Sequence, residues 1–93
     1  MERAVIIEGA RTPIGNFLGA LSDVPTVQLG VIATREALNR AAVEPSDVDQ
    51  LIFGHARQAG NGPNTGRQVA YRSGFPQEVP GFNVNMACGS GVK

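Results

Sequence analysis

The sequence predicts an α/β fold, a sheet covered by helices, and three observations carry that expectation. Ala4 to Ile7 is a short, continuous apolar run with the character of a buried strand. Thr26 to Ala42 spaces its apolar residues as a helix does. Phe82, Val84 and Met86 alternate with Asn83 and Asn85, the period of a strand. Strand and helix signals alternate along the chain, which favours a sheet layered with helices over a bundle or a sandwich.

Each element has its own justification. Glu8-Gly9 closes the first run, Pro13 biases Thr12 toward extended geometry, and residues 9 to 25 read as an irregular loop. In the first helix Val27, Val31, Leu38 and Ala41 form one stripe, while Leu29, Ile32 and Ala33 form a second, so two faces are expected to be covered. Glu36 and Arg40 make an i,i+4 pair on the wet side, worth about 0.3–0.5 kcal/mol. Glu44-Pro45-Ser46-Asp47 ends the helix and starts a turn. Val48 to Gly54 reads as a second strand, and Gly60 to Asn64 as a loop. Asn64 or Thr65 can cap a helix that runs to Ser73, with Gly74 as its stop and Pro76 beyond. The third strand leads directly to Cys88, where a further helix is expected to open.

Composition removes several functions. Ninety-three residues make one domain at most. Eight basic and eight acidic residues cancel without forming blocks, so there is no basic stripe for nucleic acid or an anionic membrane. No stretch approaches the roughly 18 apolar residues of a membrane span, and Ala4 to Ile7 is too short for a secretory signal. One cysteine cannot form an internal disulfide, which fits a reducing, cytoplasmic location. One cysteine and one histidine fall short of a metal-ligand set, and neither metal nor cofactor is expected. Gly60-x-Gly62-x-x-x-Gly66 is one residue too long for a dinucleotide fingerprint, and Arg67-Gln68 stands where a phosphate loop needs lysine and a hydroxyl.

Cys88 is the candidate catalytic residue. A free thiol has a pKa of about 8.5, and the amides at a helix start favour its nucleophilic thiolate. Gly89 and Gly91 let a bulky acyl group approach the backbone. The Cys88 amide can point at a carbonyl oxygen as charge develops there, a contribution of roughly 3 kcal/mol for one such donor. A lone cysteine among small residues is equally a packing residue, and this chemistry alone leaves both readings open.

The neighbouring motifs separate them. Asn85-Met86-Ala87-Cys88-Gly89-Ser90-Gly91 resembles the nucleophile motif N-x-x-C-G-S-G of the thiolases. Arg11-Thr12-Pro13-Ile14-Gly15-Asn16-Phe17-Leu18-Gly19 resembles that family's R-T-P-x-G-x-F-x-G segment. Gln58 to Gln68 resembles its Q-A-G-x-G-x-N-x-x-R-Q loop and helix start. The three motifs occur in the family's order and together span the chain.

The resemblance implies an N-terminal part of the thiolase fold, strand-helix-strand-helix-strand and then the start of the nucleophile helix. It implies one domain piece over residues 1–93 of a longer enzyme. It gives Cys88 the role of the residue that accepts an acyl group from acyl-CoA. The implied reaction is the reversible Claisen condensation of acetyl-CoA to acetoacetyl-CoA, with coenzyme A thioesters as substrates and a homo-oligomer as the full-length assembly. C-G-S-G leans toward the acetyl-CoA acetyltransferase kind. A 3-ketoacyl-CoA thiolase of fatty-acid degradation is one alternative, and a non-catalytic, subunit-binding remnant is the other. The family's activating G-H-P histidine and second cysteine have no counterpart here: Gly54-His55-Ala56 lacks the proline, and His55 reads as a structural or surface residue. The CoA-binding residues do not follow from the motifs, and the chain by itself is expected not to turn over acetoacetyl-CoA.

Overall fold

Parallel strands need a crossover, and here a helix supplies it. In the computed structural model, which describes residues 2–93, strand β1 (Leu51–Gly54) and strand β2 (Gly81–Val84) are joined through helix α2 (Thr65–Arg72). They pair in parallel, Leu51 opposite Gly81 and Gly54 opposite Val84. Helix α1 (Thr26–Ala41) precedes this unit and packs on α2, and a 3₁₀ turn over Pro45–Asp47 links it to β1.

The helix ends follow local chemistry. Asn64 takes a left-handed backbone, φ 41°, which asparagine tolerates, and its side chain accepts the Arg67 amide hydrogen at 3.0 Å. At the other end Gly74, φ 86°, carries the chain out of α2. Helix α1 ends differently. Ala42 itself turns left-handed, and the Val43 amide bonds back to Leu38 O at 3.0 Å, the six-to-one closure of a Schellman motif. The Glu36–Arg40 pair forms at 3.1 Å on the exposed side of α1.

One core results. Val27 of α1, Leu51 of β1, Val69 and Ala70 of α2, and Phe75 and Val79 of the following loop are buried together. Gly30 lets α1 approach closely, since a Cβ there would meet Phe53 Cε1 at 2.8 Å and Val69 Cγ2 at 2.9 Å. Among the described residues, only one face of the sheet is covered. Ile52 and Phe82 are register partners on the other face, 41% and 39% exposed. Of the two apolar stripes on α1, only Val27 is fully buried, and Ile32 is half exposed.

Two expected elements are absent among the described residues. Ala4 to Ile7 forms no strand, and Ile6 is 95% exposed. Its side chains line an open groove of about 490 Å³ shared with Leu38, Leu51 and Phe75. An apolar run specifies burial, whereas a strand also needs a partner edge for its N–H and C=O groups. The third strand stops at Val84, two residues before Met86. The helix expected at Cys88 is a series of turns over 87–92. Gly89 and Gly91 each cost about 0.8–1.0 kcal/mol in a helix interior.

Ser73, at the end of α2, buries a hydroxyl that has no hydrogen-bond partner among the described residues. Ser73→Ala is expected to stabilise the chain by about 1 kcal/mol in urea unfolding, because it removes an unsatisfied polar group without opening a cavity.

Candidate functional site

Gly54 and Val84 are register partners, so the carboxyl ends of β1 and β2 lie side by side. Loops leave the sheet there, which is where open α/β sheets place their sites. The first loop starts at His55, whose amide bonds to Val84 O at 3.0 Å. The second starts at Asn85 and carries Cys88.

A polar circuit holds the first loop. His55 is 8% exposed, and its Nδ1 lies 2.8 Å from Thr65 Oγ1. The Thr65 hydroxyl donates to Asn83 Oδ1 at 3.2 Å, so the histidine must donate to the threonine. Asn83 Oδ1 also accepts the Gly66 amide at 2.6 Å, while Asn83 Nδ2 donates to Gln58 Oε1 at 3.3 Å. Gln58 closes the circuit by donating to His55 O at 2.9 Å. The His55 ring also meets Phe53 edge-on, 5.6 Å between centroids. The sequence leaves His55 either structural or at the surface, and the structure buries it in the packing that holds the first loop.

The second loop is a sharp corner. Asn85 Nδ2 donates to Ala56 O at 3.1 Å, which ties the two loops together, and Asn85 Oδ1 accepts the Ala87 amide at 3.0 Å. Ala87 then takes φ 48°, a left-handed conformation that costs a residue with a Cβ roughly 1–2 kcal/mol. Strain of this kind gathers at functional sites. Ser90 is buried and staples the turn, its Oγ accepting the Met86 amide at 2.9 Å and donating to Ala87 O at 2.8 Å. The Gly89 and Ser90 amides bond to Met86 O and Ala87 O. From 86 to 90, therefore, the Met86, Ala87, Gly89 and Ser90 amides each have an acceptor within the corner, while that of Cys88, which forms an isolated bridge with Met86, has no hydrogen-bond acceptor among the described residues. Cys88 is a free cysteine and is exposed.

The corner thus differs from its expected form. No helix terminus faces the sulfur here. What the turn offers is one free N–H on the cysteine itself.

Residues 4–93 match the family described as "Thiolase, N-terminal domain". The chain belongs to the thiolase family. An acetyl-CoA acetyltransferase of Syntrophomonas wolfei is 46% identical over 94 residues, covering 100% of this chain and 24% of that protein. A cytosolic acetyl-CoA acetyltransferase of Rattus norvegicus is 49% identical over 89 residues, 96% of this chain and 22% of that one. A thiolase from Ascaris suum, solved in complex with coenzyme A, superposes with a TM-score of 0.88 at 32% identity, over 90% of this chain and 22% of that structure. The α/β fold is therefore that of thiolases, and the chain spans about a quarter of the length of these relatives.

Sequence reasoning singled out Cys88 and missed its supports. Ser90 stood in the motif without a role, and Asn83 passed as a strand residue. Replacing Asn83 with Ala strips the acceptor from the Gly66 amide and the Thr65 hydroxyl, both buried. A loss of about 2–3 kcal/mol is expected on denaturant unfolding of Asn83→Ala.

Proposed function

We propose that this chain carries the acyl-accepting thiol of an acetyl-CoA acetyltransferase, with Cys88 as the nucleophile. The single observation that carries the reading is the corner itself, where an exposed free cysteine has a backbone amide with no hydrogen-bond acceptor among the described residues. The family membership and the relatives' names support the substrate class.

The transfer balances as follows. The Cys88 thiol gives its proton to water, and the resulting Sγ thiolate attacks the carbonyl carbon of acetyl-CoA. A bond forms from Sγ to the acyl carbon, and the bond from that carbon to the CoA sulfur breaks. CoA leaves as its thiolate and takes up a proton. While the carbon is tetrahedral its oxygen bears negative charge, and the Cys88 N–H is the donor for it. One such donor, aimed where charge develops, is worth about 3–4 kcal/mol. In the synthetic direction the α-carbanion of a second acetyl-CoA then attacks the held acyl group, releasing Sγ and giving acetoacetyl-CoA.

The second step needs a base for the α-proton. The chain contains one cysteine, and its one histidine is buried with Nδ1 committed to Thr65. Acylation without turnover is the reading for the 93-residue chain. A cytoplasmic setting accords with the cytosolic rat relative.

Iodoacetamide labelling tests this reading. One label per chain is expected, lost in Cys88→Ser and blocked by prior incubation with acetyl-CoA. Thiolysis of acetoacetyl-CoA by the chain is expected to stay at the buffer background. Labelling that acetyl-CoA leaves unchanged would remove Cys88 from the acyl-transfer role.

A further inference from the structure

We propose that Gly54 and Ser90 are positioning residues for Cys88, acting as a backbone-to-backbone stop that fixes where its free amide points. This rests on the acyl-acceptor reading of Cys88 and adds residues that the nucleophile motif does not explain.

The contact is unusually close. A Cβ at Gly54 would stand 2.8 Å from both Ser90 C and Ser90 O, and 3.1 Å from the Gly91 amide nitrogen. Those atoms are main chain, so no side-chain rotation relieves the overlap. The end of β1 therefore presses directly on the far side of the turn. From the near side, the Ser90 hydroxyl bridges the Met86 N–H and Ala87 O. The corner between them holds Ala87 at positive φ. A strained residue persists only where its surroundings over-determine it, and the stop and the staple do so together with Asn85, whose Oδ1 accepts the Ala87 amide. Both act on Cys88 without touching an acyl group at Sγ. Gly54 belongs to the sheet, so the orientation of the amide is set by a rigid element and not by the loop alone.

A positioning role separates two chemistries at one sulfur. Alkylation needs only an accessible thiol. Acetyl transfer needs the acyl oxygen on the Cys88 amide at the same time. In the full 93-residue chain, Gly54→Ala and Ser90→Ala are expected to slow acetylation of Cys88 by acetyl-CoA about 10- to 100-fold, the scale of a misplacement near 1 Å. Iodoacetamide alkylation is expected to stay within about twofold, since access to the sulfur is kept. Val79→Ala serves as the control, because Val79 is buried at the opposite end of the sheet, before Gly81. It should leave the ratio of the two rates unchanged. The ¹H–¹⁵N resonances of Met86 to Ser90 should move in both positioning variants and not in the control.

The failures are distinguishable. Wild-type acetylation with an unchanged ratio in Gly54→Ala and Ser90→Ala overturns the positioning role and leaves Cys88 as the acceptor. An equal fall in Val79→Ala, or unmoved corner resonances in both variants, also overturns it by reducing the effect to general stability or to none. Absence of acetylation in the wild type overturns the acceptor reading and the positioning role together.

Discussion

The parallel pairing of β1 with β2 is the constraint on which the rest depends. Its register sets Gly54 beside Val84, and everything at the site starts from those two residues. Had the pairing slipped by one residue, Ile52 and Phe82 would exchange faces with Leu51 and Gly81, and the core would lose Leu51. The Gly54 stop would then miss Ser90. The same pairing forces α2 to cross between the strands, which brings Thr65 and Gly66 against Asn83. Fold and corner are thus fixed by one choice of register.

Two kinds of interaction protect that register. Apolar burial around Val69 and Leu51 supplies the driving force, but it is non-directional and tolerates small shifts. The hydrogen-bonded circuit of His55, Thr65, Asn83 and Gln58 is directional, and each partner has one place to be. Close main-chain approaches add a further limit. Gly66 and Gly81 bring the start of α2 against the start of β2, where a Cβ on Gly66 would meet Phe82 O at 2.6 Å. The molecule spends polar and steric precision on the sheet end that carries Cys88, and leaves apolar surface open elsewhere. Val5, Ile14, Phe17 and Met86 are all exposed.

Much of this was legible in the sequence. Periodicity placed α1 within one residue of its observed end, and the Asn64 cap and Gly74 stop bracketed α2. The alternation of Phe82 and Val84 gave β2. Where the reading exceeded the structure, it treated a local signal as sufficient for a non-local event. Ala4 to Ile7 has strand character without a strand edge, and Cys88 to Lys93 has a helix position without helix formers. At the site, residue type revealed the nucleophile candidate, but not its supports. Nothing in the letter G at position 54 says that a turn 36 residues later will rest on it. Such contacts are set by tertiary geometry and appear only once the strands are paired.

The central claim is that the amide of residue 88 is left unbonded so that it can receive the oxygen of a group held on the neighbouring sulfur. A crystal structure of the chain after reaction with acetyl-CoA tests it most directly. The account predicts one acetyl group, on Cys88, with its oxygen within about 2.7–3.1 Å of the Cys88 nitrogen. An acetyl group whose oxygen faces solvent, with that nitrogen still unpaired or turned to another acceptor, would contradict it.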